Sequence, residues 1–317
     1  MKILITCPPM IRSIKHVAYR FHEKAIDFVT PEFTQTMSEA ELIALVPDFD
    51  GWIIGDDPAT RSVFEAGIAG KLKACVKWGV GIDNVDMKSA RDLGIPITNT
   101  PGMFGNEVAD IAMGYVIALA RQTFAVHQGV LDGKWLKPVG NSLAGKTVAL
   151  VGFGDIGRQT AKRLTACGMK VIAYDPSFKP SDELPNVENA VWPDRIEQAD
   201  FVVLTCALNN TTHHMLNQAT IAKLPTGVRV INVSRGPLID EDALVESLGS
   251  GHVASAALEV AEIEPLPLDS PLRRFPQVLY GSHNASNTVE AVVRTSELAI
   301  SSLFGFLEAK PPIMLHR

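Results

Sequence analysis

The feature that most constrains the fold of this 317-residue sequence is a glycine pattern that directly follows a short apolar run. The segment 148–158 reads VALVGFGDIGR, with the spacing G-x-G-x-x-G between a strand pattern and a helix pattern. Gly152 permits a tight turn, Gly154 allows the backbone to approach a diphosphate, and Gly157 allows helix and strand to pack closely. Because amides at a helix start bind phosphate groups, the segment predicts a dinucleotide site.

An acidic residue supports this prediction and indicates which dinucleotide is bound. A glycine pattern alone also fits an ordinary turn, but Asp175 stands at the end of the next apolar run, 171–174. There a carboxylate can bind the ribose hydroxyls of the adenosine half. It would also repel a 2′-phosphate, and no arginine follows in 176–179. We therefore expect NAD rather than NADP.

Short apolar runs alternate with helix patterns along the chain, which is typical of parallel sheets covered on both faces. Helices are expected from Ser38, whose hydroxyl can cap the first turn, and over 106–121 and 289–307. The expected strands are Lys2–Thr6, Asp27–Val29, Trp52–Ile54, Ala74–Lys77, Pro96–Thr98, Thr147–Val151, Lys170–Tyr174, Phe201–Thr205, Val228–Asn232, Ala254–Leu258 and Val278–Tyr280.

The late position of the glycine pattern predicts a separate domain ahead of it. A chain of 317 residues is long enough for two domains, and Asn-Thr-Pro-Gly at 99–102 is a natural hinge. We expect an α/β protein with two Rossmann-like, doubly wound parallel-sheet domains. Ligands of such folds bind at strand carboxyl ends and in crevices between domains, so the active site is expected in the cleft.

Composition disfavours several other classes of protein. A formal net charge of -6 and a hydrophobic share of 46% describe a globular protein with a mildly acidic surface, so we expect no nucleic-acid partner. The apolar stretch 111–120 is too short to span a bilayer, and the N-terminus has no signal-like region. The four cysteines lack metal-ligand or redox spacing. We therefore expect no metal, no membrane attachment and a cytoplasmic location.

Three ionisable residues follow strands or loops of the expected cofactor domain: Arg235, Glu264 and His283. Reduction of a 2-keto acid needs a proton donor for the developing alkoxide, a cation for the carboxylate and a group that tunes the donor. These three residue types meet those needs. Each residue alone also fits a surface or packing role, because separation along the sequence does not show convergence.

Five segments stand in a characteristic order along the chain: Gly79–Asp86, Leu150–Gly157, Asn232–Asp240, Leu258–Pro265 and Ser282-His283. Together they resemble the D-isomer-specific 2-hydroxyacid dehydrogenases, and the resemblance covers essentially the whole chain. It implies that Arg235 anchors the substrate, Glu264 tunes the histidine and His283 is the acid/base.

The resemblance further implies a domain plan and an assembly. Residues 1–100 and 288–317 would form a substrate-binding domain, and residues 101–287 an NAD-binding Rossmann domain. The partners would be a small 2-hydroxy or 2-keto acid and a second copy of the chain, in a homodimer built largely through the central domain.

A set of binding residues is also implied. The backbone amides of Gly79, Val80 and Gly81 would bind the substrate carboxylate. The sequence departs from the family pattern at Glu259, where Asp is usual, and at Ala207, where Pro is usual, and these changes could alter how the nicotinamide binds. Ser282 and Asn284 replace the usual neighbours of the histidine and could reshape the wall around it. The implied NAD contacts are Gly152, Gly154, Asp155, Ile156, Gly157, Asp175, Cys206, Val233, Ser234 and Glu259.

Within the family, 79–86 and 99–101 look most like short phosphoglycerate dehydrogenases. Lys77 precedes the glycine loop, where its ammonium could meet a phosphate, although it could equally cap a strand in water. The acids Asp56 and Asp57 would discourage a phosphate if they faced the pocket. D-3-phosphoglycerate is thus the first expected substrate, and glycerate, glyoxylate, hydroxypyruvate or another 2-keto acid are the alternatives.

Two other functions remain open at the level of the sequence. Some relatives of this family are NAD-sensing scaffolds without turnover, although all three catalytic residue types are retained here. Oxidation of formate or phosphite would keep the fold and change the chemistry. Formate enzymes of this fold pair their histidine with glutamine, whereas Glu264 is acidic, and phosphite enzymes keep a similar trio.

Overall fold

The computed structural model describes residues 1–33 and 35–309, which divide into two compact units. The first unit comprises Met1–Met103 and the segment that begins at Asn287, and the second comprises Phe104–Ser286. Residues 310–317, assigned above to the substrate-binding domain, lie outside the described part. Each unit contains one parallel sheet, which confirms the predicted α/β class with two parallel-sheet domains.

The first unit is built on a five-stranded sheet in the order β2-β1-β3-β4-β5. Every residue of β3 and β4 is buried, because both faces of the sheet are covered. The strands are β1 (Lys2–Ile5), β2 (Asp27–Val29), β3 (Gly51–Ile54), β4 (Ala74–Lys77) and β5 (Ile97–Asn99). The helices are α1 (Pro8–Arg12), α2 (Tyr19–His22), α3 (Glu39–Leu45), α4 (Arg61–Ala69) and α5 (Met87–Asp92).

Helix starts in this unit are set by polar caps. The Ser38 hydroxyl accepts from the Glu41 amide, and the Glu41 carboxylate accepts from the Ser38 amide, so α3 begins with a capping box as expected from Ser38. Thr60 and Asp86 cap α4 and α5 with a side-chain oxygen that accepts from the amide three residues on, without the reciprocal bond. Each cap replaces a hydrogen bond that the first turn cannot make internally, a contribution of about 1 kcal/mol.

The second unit contains a seven-stranded parallel sheet in the order β12-β11-β10-β9-β6-β7-β8. The order reverses between β9 and β6, which is the switch point where doubly wound folds bind ligands. The strands are β6 (Thr147–Val151), β7 (Lys170–Tyr174), β8 (Glu188–Asn189), β9 (Phe201–Leu204), β10 (Val228–Asn232), β11 (Val253–Leu258) and β12 (Val278–Tyr280). The helices are α6 (Gly105–Arg121), α7 (Thr123–Leu131), α8 (Asp155–Ala166), α9 (Gln218–Ile221) and α10 (Glu241–Ser250).

Helix α7 was not expected from the sequence. Gln122, in the left-handed region with φ of 53°, separates it from α6. Phe124 and Leu131 are exposed to 56% and 67%, so its apolar side chains do not form a single inward-facing stripe. The usual helix periodicity, which reflects one buried face, is therefore absent.

The last helix, α11 (Val289–Glu308), belongs to the first unit and packs on β3 and β4. Thr288 caps it, and the Trp78 indole donates to the Ser296 hydroxyl at 3.1 Å. Arg294 of the same helix donates to the Met103 carbonyl at 3.2 Å. Among the helices of the described residues, none is long and apolar enough to cross a membrane.

Candidate active site

The glycine loop lies at the switch point of the second sheet and has the shape of a diphosphate cradle. Gly152 has a φ of 96°, and a Cβ there would lie 2.6 Å from the Cys206 amide nitrogen, so only glycine fits. A Cβ on Gly157 would overlap the Gly152 carbonyl. A Cβ on Gly154 would meet nothing within 4 Å, so this residue faces open space where a ligand can approach.

Helix α8 begins beside that open space. Gly154 is its N-cap and has no side chain to cover the first amides, and Asp155 and Ile156 form the start of the helix. The uncapped amides carry the positive end of a helix dipole and suit a diphosphate. Asp155 and Ile156 therefore lie where NAD contacts were predicted.

Asp175 follows β7 and lies against the glycine loop. Its Oδ2 accepts from the Phe153 amide at 2.7 Å, and its Oδ1 accepts from the Ser177 amide at 2.7 Å. Each carboxylate oxygen can accept more than one bond, so both retain capacity for ribose hydroxyls. Together with the open face of Gly154, this geometry fits the adenosine diphosphate half of NAD.

The nicotinamide side of the switch point is formed by the ends of β9 and β10. The Ser234 hydroxyl donates to the Cys206 carbonyl, and the Ser234 amide donates to the Asn232 side chain at 3.0 Å. Val233 is buried between them. Burial raises the pKa of the Cys206 thiol to about 12, so this cysteine is a protonated packing group rather than a nucleophile.

Arg235 directly follows this segment, and its backbone is fixed by a buried residue that the sequence did not single out. The Asn232 side chain is fully buried and donates to the Arg235 carbonyl at 2.8 Å. Arg235 Nη1 donates to the Ser234 carbonyl at 2.8 Å. A Cβ on Gly236 would overlap Ala261, so the Arg235 segment lies directly against the loop that leads to Glu264.

Glu264 and His283 form the polar pair that the sequence predicted. His283 Nδ1 lies 2.8 Å from Glu264 Oε2, and the two side chains are exposed to 33% and 31%. Glu264 Oε1 accepts from the Ala261 amide at 3.1 Å, which orients the carboxylate. A carboxylate bound to one ring nitrogen fixes the imidazole and stabilises its protonated form.

The backbone at His283 is held in an uncommon conformation. Its φ is 55°, in the left-handed region that costs a residue other than glycine about 1–2 kcal/mol. The His283 amide donates to the Glu259 carbonyl at 2.8 Å. Surrounding contacts must therefore maintain this geometry, as is common where side chains need a defined direction.

Glu259 is placed differently from a residue that simply faces a ligand. Its side chain is 4% exposed. Oε2 accepts from the Tyr115 hydroxyl at 2.5 Å, and Oε1 accepts from the Asn284 amide. Tyr115, on α6, is a contact that sequence reasoning missed, because no pattern links two residues so far apart. Burial, followed by the bond to Glu259, raises the pKa of Tyr115, so its hydroxyl stays a donor.

The predicted substrate loop lies in the first unit. The Gly79 amide donates to the Thr100 hydroxyl at 2.7 Å, and Gly79 accepts the Thr100 amide in return at 3.0 Å. Among the described residues, the amides of Val80 and Gly81 have no such partner. Of the three predicted donors, these two are thus the ones suited to an anion, while the Gly79 amide holds the loop in place.

Lys77, predicted as a phosphate ligand, is bound within the protein. It is 2% exposed, and its ammonium donates to the Gly55 carbonyl at 2.5 Å and to Asp56 Oδ1 at 2.8 Å. An ammonium buried without a counter-charge would be costly, and Asp56 supplies that charge. Asp57 is fully buried and accepts from the Met37 amide at 2.8 Å, so it does not face a pocket.

No group of His, Cys, Asp and Glu side chains that could hold a metal ion occurs within residues 1–33 and 35–309. The chemistry of the described site is that of a histidine–carboxylate pair, an arginine and a dinucleotide cradle. Such a set can bind a carboxylate, exchange a proton and support hydride transfer.

Comparison with known proteins agrees with this arrangement. The family model for the NAD-binding domain of D-isomer specific 2-hydroxyacid dehydrogenases matches residues 113–285. A hydroxypyruvate reductase from Thermotoga maritima is 37% identical over 277 residues, which cover 86% of this chain and 89% of that protein. D-3-phosphoglycerate dehydrogenase from Rattus norvegicus is 37% identical over 83% of this chain, a match that spans 50% of that protein.

A solved structure supports the fold over nearly the full length. The crystal structure of a glyoxylate reductase from Paecilomyes thermophila superposes with a TM-score of 0.84 at 26% identity. The match covers 97% of this chain and 95% of that chain. The two sheets described above thus recur together in a related chain.

Proposed function

Since this chain belongs to the D-isomer-specific 2-hydroxyacid dehydrogenase family, we propose that it reduces a small unphosphorylated 2-keto acid, hydroxypyruvate or glyoxylate. The family membership makes it an NAD-dependent oxidoreductase that acts on a CH-OH group. The proposal concerns the substrate and the roles of individual residues. D-3-phosphoglycerate, the substrate first expected from the sequence, becomes the second candidate.

The choice of an unphosphorylated acid rests on Lys77. Its ammonium was the proposed phosphate ligand, and it is buried and paired with Asp56. A phosphate would have to compete with a carboxylate at 2.8 Å for a cation that is already desolvated. The names of the Thermotoga maritima and Paecilomyes thermophila relatives point in the same direction. D-3-phosphoglycerate stays the second candidate because of the sequence identity to the rat phosphoglycerate dehydrogenase.

Each predicted residue has a role that its contacts support. When bound, NADH supplies the hydride. His283, whose Nδ1 pairs with Glu264, transfers the proton to the substrate oxygen from Nε2. Arg235 binds the substrate carboxylate through its planar fork and polarises the carbonyl. In the first unit, the amides of Val80 and Gly81 are donors suited to an anionic group.

A pair of substrates that differ only in a phosphate tests the proposal. Initial rates of NADH oxidation are measured with hydroxypyruvate and with 3-phosphohydroxypyruvate, and then with glyoxylate and pyruvate. We expect kcat/KM to be higher for hydroxypyruvate by on the order of tenfold or more, since the Lys77 ammonium is already paired with Asp56. A preference for the phosphorylated acid would restore the second candidate.

The same assay separates the remaining alternatives. NADH binding without turnover of any keto acid would indicate an NAD-sensing scaffold. Oxidation of phosphite or formate with NAD, without turnover of hydroxy acids, would indicate that the protein is a phosphite or formate dehydrogenase. Parallel runs with NADPH test the cofactor preference expected from Asp175.

We further propose that the protein is a homodimer formed through the second unit. Apolar side chains are exposed on α7 and on the segment after it: Phe124, Leu131, Trp135 and Val139 are exposed to 56%, 67%, 79% and 93%. A cavity of about 370 Å³ opens between α6, α7 and the starts of β11 and β12. Apolar surface of this density is typical of an interface, and a second copy would bury it.

Light scattering on the purified protein tests this assembly. Val139→Glu places a charge in the exposed apolar segment and should favour the monomer. Val191→Glu is the matched control, because Val191 is exposed to 74% in the same unit but lies outside that segment. A monomeric parent protein, or equal effects of both variants, would refute the proposed interface.

A cytoplasmic location also remains a proposal. Cell fractionation followed with an antibody to the protein tests it. Recovery with membranes or with an exported fraction would contradict it.

A further inference from the structure

Glu259 forms several hydrogen bonds within the protein, and a residue that only contacts the cofactor would not need them. Its carbonyl accepts from the His283 amide, and its side-chain Oε1 accepts from the Asn284 amide. The two backbone amides that flank His283, its own and that of Asn284, thus both donate to Glu259. The Glu259 amide also donates to the Asn232 carbonyl at 2.9 Å.

The side chain of Glu259 is itself fixed at its far end. Oε2 accepts from the Tyr115 hydroxyl at 2.5 Å, and the carboxylate is buried. A buried carboxylate needs hydrogen bonds to offset its lost hydration, so these two donors determine where it lies. A hydroxyl from α6 is therefore linked through Glu259 to the loop that carries His283.

Gly281 provides the space for this side chain. A Cβ on Gly281 would overlap Glu259 Oε2 and would lie 2.8 Å from the Tyr115 hydroxyl oxygen. Gly281 has no left-handed φ that would require glycine, so the missing Cβ is explained by the carboxylate. Glu259, Gly281 and Tyr115 fit one another as a set.

We infer that Glu259 is a positioning residue that holds His283 in its left-handed backbone conformation, with Tyr115 and Gly281 as its supports. Both carboxylate oxygens are bonded within the protein and Glu259 is only 4% exposed, which distinguishes this role from the predicted contact to the nicotinamide amide. The inference rests on the proposed role of His283 as acid/base.

Substitutions at Glu259 separate the two roles. Glu259→Gln keeps the length, and its amide can accept from the Asn284 amide and donate to the Tyr115 oxygen, so it should retain more of the parental kcat than a shorter side chain does. Glu259→Asp is one methylene shorter and cannot bridge both groups, so kcat should fall on the order of tenfold or more. The dissociation constant of NADH, followed by its fluorescence, should change little in either variant.

The supports provide an independent test. Tyr115→Phe removes only the hydroxyl and should lower kcat without weakening NADH binding. Tyr280→Phe is the matched control, because the Tyr280 hydroxyl donates to the Leu272 carbonyl at 2.5 Å, outside this set. Gly281→Ala should lower kcat in the parent but cost less in a Glu259→Ala background, since the overlap with the carboxylate is then gone.

Contrary results are readily identified. Glu259→Asp with parental kcat, or Glu259 variants that weaken NADH binding while kcat stays unchanged, would show a cofactor contact and overturn the inference. Additive effects of Gly281→Ala and Glu259→Ala would overturn it as well. Thermal unfolding verifies that each variant is folded, and the two Glu259 substitutions decide the question if Tyr115→Phe does not fold. Loss of the proposed function would be seen separately, as a His283→Ala variant with normal kcat.

Discussion

Nδ1 of His283 lies 2.8 Å from Oε2 of Glu264, although the two residues belong to different loops of the second unit. Glu264 is oriented by the Ala261 amide, and His283 by the Glu259 carbonyl. The ring nitrogen that binds the carboxylate is therefore determined by the surrounding backbone. Nε2 is therefore the nitrogen that we propose to exchange the proton with the substrate. The contributions of His283 and Glu264 to kcat can be measured separately by substitution.

His283→Ala should lower kcat for keto-acid reduction by on the order of 10²-fold or more, because the proton donor is lost. NADH binding, measured by fluorescence, should persist, since the glycine loop and Asp175 are unchanged. His16→Ala, at an exposed position of the first unit, is the control. Near-normal kcat for His283→Ala would exclude the histidine as acid/base.

Glu264→Gln should move the pH dependence of reduction. Reduction uses the protonated imidazole, and the carboxylate stabilises that form. Without the negative charge, the protonated imidazole loses this stabilisation, so the alkaline limb of the kcat profile should move to lower pH. A profile that stays in place, or moves upward, would contradict the tuning role of Glu264.

Arg235→Lys should raise KM for the keto acid and lower kcat/KM by about 10²-fold, because a lysine cannot form two parallel hydrogen bonds to a carboxylate. The exposed Arg274→Lys serves as control, and steady-state kinetics with hydroxypyruvate are the measurement. Equal kcat/KM values in the two variants would remove Arg235 from the substrate site.

Asp175→Asn should raise the ratio of kcat/KM for NADPH to that for NADH. The variant removes the charge that repels a 2′-phosphate and retains an oxygen that can accept from the Phe153 amide. Asp182→Asn, at an exposed position outside the glycine loop, should leave the ratio unchanged. An unchanged ratio in Asp175→Asn would show that another group selects NAD.

The buried carboxyl of Asp57 should make the stability of the protein depend on pH. Burial raises the pKa of its carboxyl above the usual range. A folded state with a raised pKa is stabilised below the unfolded-state value and loses that stabilisation as pH rises through the folded value. The free energy of urea unfolding of Asp57→Asn, relative to the parent, should therefore increase from pH 4 to pH 7.

Asp86→Asn is the matched control for that experiment. Hydrogen bonds from Ser89 lower the pKa of the Asp86 carboxyl, so its stabilisation is lost as pH falls. That loss occurs below the usual pKa of an aspartate, so the relative stability of this variant should stay nearly constant from pH 4 to pH 7. The same trend in both variants would show that the effect does not come from burial of Asp57.

Much of the second unit was predictable because its information is local. The glycine spacing, the strand that precedes it and Asp175 lie within one βαβ unit, and apolar runs mark strands that are buried on both faces. Strand bounds agree to within one residue in most cases, as for β7 at Lys170–Tyr174. Helix α7 was missed because its exposed apolar residues give it no single buried face.

The amino-acid sequence by itself determined the parallel-sheet class and the dinucleotide loop and, through the family resemblance, proposed the trio. Only the tertiary structure decided which groups meet: His283 with Glu264, Tyr115 with Glu259, and Lys77 with Asp56. The reason is that each of these pairs joins separate elements, so their distance depends on how strands and helices pack. Local propensity and spacing carry no information about that packing.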